Sequence, residues 1–106
     1  SGKWKNNADN MELAGGEGSI LLIFQAKKIN IVAGSENKSD SYVLLDGNFE
    51  NEKTKGSDVE LQNNKSIVNI NEFRLYNLAS AEDYGTHMIE LQVGGKGFKI
   101  YTFTFG

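Results

Sequence analysis

Three acidic residues, Asp46, Glu50 and Glu52, fall in one polar stretch, with Asp58 just beyond them. A calcium site needs several oxygens converging at about 2.3–2.6 Å. The segment from Asp46 does not make an EF-hand loop, because Asn51 stands where glycine is needed and Ser57 where the bidentate Glu belongs. Asp46-Gly47 reads as a turn, and Asp46 and Asp58 are weak calcium candidates only. Glycoside hydrolysis needs two carboxyl groups facing each other across a cleft, about 5–10 Å apart. Glu90 is the best-placed strand acid, with Asp58 or Glu60 as a partner, but no spacing here sets their distance. Strand acids on a surface are usually solvated, so we expect no catalytic pair.

The only histidine is His87. A Ser-His-Asp enzyme of the nucleophile-elbow type would need G-x-S-x-G, which is absent. His87 therefore reads as a partly buried histidine bonded to a backbone carbonyl. A single histidine excludes a three-His metal site, and the lack of cysteine excludes disulfides, a Cys-based zinc site, an iron–sulfur cluster and a thiol nucleophile. Gly94-Gly95-Lys96-Gly97 lacks the spacing of a phosphate loop and reads as a hairpin turn.

The aromatic residues say more: Trp4, six Phe and four Tyr. Most of the Phe should be core, because Phe has no polar handle. Trp and Tyr offer an apolar face with a polar tip, which suits stacking on the C–H face of a sugar ring. The candidate ligand-binding residues are Trp4, Tyr42, Arg74, Tyr76 and Tyr84. Arg74 and Tyr76 lie two apart, on one face of a strand. Such a pair can hold a hydroxylated or anionic ligand; the alternative is that Tyr76 fills the core and Arg74 pairs with a carboxylate at the rim.

These residues must be positioned by strands. The chain has 12 Gly and no Pro, so Gly, Asn and Asp make its turns. Turn signals recur about every 8–12 residues, the mark of a sandwich or barrel. Strands are predicted at 19–26, 28–33, 41–45, 58–61, 66–70, 72–78, 86–93 and 97–105, with two shorter ones at 2–5 and 10–14. Gly15-Gly16-Glu17-Gly18 is read as a turn between two of them. In 72–78, Phe73 and Leu75 alternate with Arg74 and Tyr76. In 86–93, His87, Ile89, Leu91 and Val93 point inward, while Met88, Glu90 and Gln92 point outward. Residues 46–57 are read as a mobile loop. About nine strands over 1–106 predict one all-β domain, an antiparallel β-sandwich of jelly-roll type.

A net charge of -3 argues against nucleic acid or anionic lipid as the main partner. The longest apolar run, Ile20 to Phe24, is too short to span a bilayer, and the chain carries no targeting signal.

A set of short motifs occurs in order: GKW at 2–4, ILLIFQAKKINIVAG at 20–34, LLDG at 44–47, GSDVEL at 56–61, FRLYNL at 73–78, HMIEL at 87–91 and YTFTFG at 101–106. Together they resemble the C-terminal domain of DipZ-type thioredoxin-like thiol–disulfide proteins. The resemblance implies a jelly roll similar to carbohydrate-binding modules, placed after a thioredoxin-fold domain on the extracytoplasmic side. The redox Cys-x-x-Cys would lie in that neighbouring domain, so this chain reads as an excised C-terminal module. The stretch 48–56 (NFENEKTKG) departs from the family pattern. The expectation is a non-catalytic module without a cofactor that binds a glycan; the alternative is a scaffolding domain that packs on the thioredoxin domain or on its substrate proteins.

Overall fold

The alternation in residues 86–93 is the clearest in the chain, and the strand follows it: Ile89, Leu91 and Val93 are buried, and Gln92 is exposed. The same period shapes the rest of the molecule. The computed structural model describes all 106 residues and contains ten strands and no helix. They are β1 (Gly2–Asn6), β2 (Met11–Gln25), β3 (Lys28–Gly34), β4 (Ser39–Leu45), β5 (Asn48–Phe49), β6 (Val59–Gln62), β7 (Lys65–Ile70), β8 (Arg74–Ser80), β9 (Thr86–Gly94) and β10 (Lys99–Phe105). All pairings are antiparallel, in the order β6-β7-β4-β9-β2-β10-β3-β8, with β1 beside β2 and β5 beside β4. The result is the expected antiparallel jelly-roll sandwich, nearly closed like a barrel, in which two predicted strands merge into β2 and the short β5 is added.

The main departure lies in β2. Residues 10–14 and 19–26 were expected as two strands, with a glycine turn between them. They form one strand of 15 residues instead. None of Gly15, Gly16 and Gly18 has a positive φ, so the chain stays extended through them. The first part of β2 pairs with β1 and β10, and the part from Glu17 onward pairs with β9. The glycines let one strand cross from one layer to the other. Gly18 also lets Trp4 lie close, since a Cβ there would stand 3.1 Å from Trp4 Cζ2.

Gly94-Gly95-Lys96-Gly97 is likewise no hairpin between paired strands. β9 and β10 are separated by β2, and the loop carries the chain across to the other layer. The Gly95 and Gly97 amides donate to Gly16 O and Leu13 O, both at 2.9 Å. A true two-residue hairpin joins β6 to β7, where Asn63 (φ 51) and Asn64 (φ 62) adopt the left-handed conformation such a turn demands.

The core lies between the layers and includes Val43, Val68, Ile89 and Leu91 from one side and Ile29, Ile31, Tyr76 and Leu78 from the other. Residues 50–58 close one side of the sandwich. The Gly56 amide donates to Leu78 O (3.2 Å) and the Ser80 amide to Thr54 O (2.8 Å), and Lys55 bridges Ala79. The stretch expected as a free loop is thus tied along β8, and it buries Glu50. Phe24 and Phe98 are core, but Phe49, Phe73 and Phe105 are exposed, so the expectation that most Phe are core is corrected.

Candidate functional site

The expected pair Arg74 and Tyr76 does not form a ligand site. Tyr76 is 1% exposed. Its hydroxyl donates to Glu72 O (2.7 Å) and accepts from the Asn71 amide (3.1 Å). Arg74 lies across the Tyr76 ring, 3.8 Å from its centroid, and its Nη2 donates to Asp58 Oδ1 at 3.1 Å. The ring therefore has no face left for a sugar. The phase of β8 is what decides this: Tyr76 and Leu78 point inward, and Phe73 and Leu75 point out.

The other expected residues lie apart. Trp4 packs against the core, and its Nε1 donates to Ser1 O at 2.8 Å. Tyr84 is exposed in the β8–β9 loop, with Lys27 Nζ 5.9 Å from its ring centroid. Both calcium candidates are committed to protein groups. Asp46 accepts from the Met88 amide (2.9 Å) and lies 2.7 Å from His87 Nδ1. Asp58 accepts from Arg74 and from the Asn77 amide (2.7 Å). Burial works against the Asp46 charge, but the His87 and Met88 hydrogen bonds outweigh it and hold the carboxyl below its ordinary range.

Tyr42 is the expected residue that the fold places in a groove. The outer face of β4, β9 and β2 is set by register. Tyr42 stands opposite Gln92, which stands opposite Ser19, and one row further Leu44 stands opposite Glu90, which stands opposite Leu21. Glu17, Ser19, Asp40, Tyr42, Glu90 and Gln92 line a shallow open groove of about 630 Å³ on this face. Gln92 Nε2 donates to Glu90 Oε2 at 3.0 Å, which fixes both side chains. Tyr42 is held from two sides, by the edge of Phe49 with ring centroids 6.1 Å apart and by Lys65 Nζ at 5.3 Å. Glu17, Asp40 and Glu90 form no ion pair. The groove thus offers a fixed aromatic wall beside amide, hydroxyl and carboxylate groups free to bond a hydroxylated ligand.

Sequence reading singled out Tyr42 but missed Glu17, Asp40 and Gln92 as its neighbours. They come from three strands, and only register brings them together. The outward phase of Gln92 and Glu90 was legible from alternation.

The sequence family described as thioredoxin like C-terminal domain matches residues 1–106. The chain belongs to that family. None of the curated proteins compared with it matches in sequence. Among solved structures, a family two carbohydrate esterase from Clostridium thermocellum, solved in complex with cellohexaose, is similar with a TM-score of 0.74. The likeness covers 99% of this chain and 30% of that chain, at 15% identity, and it shows a shared fold.

Proposed function

We propose that this domain is a non-catalytic accessory module that binds a carbohydrate, a cell-envelope glycan, in the groove of β4, β9 and β2. The observation that carries the reading is the convergence of Tyr42, Gln92, Glu90 and Asp40 on one open groove. Hydroxyl-rich ligands are held by such a mix of aromatic wall and hydrogen-bonding groups. The fold shared with part of an esterase solved with cellohexaose supports it. In a parent protein of the DipZ type, the module would follow a thioredoxin-fold domain on the extracytoplasmic side and hold it near its targets. The redox chemistry would then belong to that neighbour.

An open single groove implies weak binding, with a dissociation constant from about millimolar to micromolar, or about -4 to -8 kcal/mol. The test is a glycan array probed with the isolated domain. Each hit is then titrated by Trp4 fluorescence, since the indole touches Ser1 and Gly18 at the groove's end. Binding to one sugar class that free sugar competes away, and that Tyr42→Ala weakens in a folded domain, is the expected result. Binding that Tyr42→Ala leaves intact would reject the groove.

One observation favours a second reading. Leu21 and Ile23 stand 55% and 66% exposed on the same sheet face. Exposed apolar side chains next to a groove suit a protein partner, the thioredoxin-fold neighbour or its substrate proteins.

A further inference from the structure

His87 begins the buried face of β9, and both nitrogens of its ring are held. Nδ1 lies 2.7 Å from Asp46 Oδ2, while Nε2 lies 2.9 Å from Asp83 Oδ1 and 3.2 Å from the Asp83 carbonyl oxygen. The two acids come from different connections, Asp46 from the β4–β5 turn and Asp83 from the β8–β9 loop. The imidazole is only 11% exposed, and the Phe24 ring lies 5.9 Å from it.

A neutral imidazole has one N–H to give. Two carboxylates facing its two nitrogens are both satisfied only by the imidazolium. Removal of one proton therefore leaves a lone pair aimed at a carboxylate, and one of the two contacts must open. The structure says which. Asp46 is also anchored by the Met88 amide and is 48% exposed, whereas the Asp83 carboxylate has no other partner and is 73% exposed. The last proton stays on Nδ1, facing Asp46, and Asp83 turns to water.

We propose that Asp46, His87 and Asp83 form a proton-operated latch that clasps the β8–β9 loop to the β4–β5 turn when His87 is charged and releases the loop when it is neutral. The released segment holds Tyr84, an aromatic residue 69% exposed. The elements around the ring bring few other charges. Glu82 flanks Asp83, and Lys27 of the β2–β3 turn lies over Tyr84; β2 and β10 contribute the uncharged rings of Phe24 and Phe105. The Asp46 hydrogen bond first, opposed by burial, and then Asp83 raise the His87 pKa above its ordinary value.

The chain has one histidine, so its titration gives a single curve by NMR. The expected midpoint lies above about 6.5. Above that midpoint the ¹⁵N shifts should report the Nδ1–H tautomer. The Tyr84 ring and Gly85 amide should move with the same midpoint, and the Met88 amide should stay protected from exchange. In Asp83→Asn, whose amide can serve either ring form, the Tyr84 and Gly85 signals should no longer follow His87. An Nε2–H tautomer would overturn the latch. So would Tyr84 and Gly85 signals that ignore His87 in the native protein, or that follow it equally in Asp83→Asn.

Discussion

Glu50 is buried, 7% exposed, and neither carboxyl oxygen has a hydrogen-bond partner. Burial pushes its pKa up from the ordinary 4.5 to about 8, with Lys55 pulling the other way. The folded chain therefore keeps a proton that the unfolded chain releases near pH 4.5. Between the two values the native state binds more protons, so stability falls as pH rises. The slope is about 1.4 kcal/mol per pH unit. Over a window from pH 4.5 to about 8 the loss reaches on the order of 5 kcal/mol, of which about 3 are spent by pH 7. The perturbation is Glu50→Gln, which keeps the shape and removes the titration. Urea unfolding followed by Trp4 fluorescence, from pH 4.5 to 8.5, measures it. The native-minus-variant difference should grow steadily up to about pH 8 and then level off, in favour of the variant. Subtraction cancels His87, whose raised pKa also makes stability fall as pH rises through it. Parallel curves for the two proteins would overturn this, because only a solvated Glu50 would titrate alike in both states.

Tyr76→Ala should cost about 3–5 kcal/mol in urea unfolding, as large buried aromatic truncations do. Tyr76→Phe, which strips the Asn71 amide and the Glu72 carbonyl of their partner, should cost about 1–3 kcal/mol. Neither change should alter glycan affinity in the folded protein. Gly56→Ala should lose most of the folded state in a thermal melt, since its Cβ would stand 2.1 Å from the Asn77 carbonyl oxygen on the backbone of β8. A cooperative melt at the native temperature would show that residues 50–58 do not pack along β8.

The fold was legible because its signals are local. Alternation in 86–93 and the Asn63-Asn64 turn each need only neighbouring residues to be read. Where the reading failed, the deciding contact was distant. Gly15, Gly16 and Gly18 have the composition of a turn, yet the residues on either side of Gly15 and Gly16 pair with β1, β10 and β9 and the strand runs on through them. The segment 72–78 alternates either way round, with apolar residues on both faces. Tyr76 points inward because Asn71 and Glu72 accommodate its hydroxyl, which no local pattern announces. The groove was half legible. Glu90 and Gln92 carry their phase in the sequence and Tyr42 stands out by its residue type, while their meeting with Glu17 and Asp40 depends on the order β4-β9-β2. The Asp46–His87 contact joins residues 41 apart and could not be read from spacing.

On the proposed function, the outer groove of β4, β9 and β2 binds carbohydrate. The measurement that meets it most directly is a ¹H–¹⁵N titration of the domain with the strongest array hit. Saturable shifts are expected at Ser19, Tyr42, Glu90 and Gln92, and they should be lost in Tyr42→Ala. Shifts confined instead to the far sheet, around Phe73 and Tyr101, would contradict it.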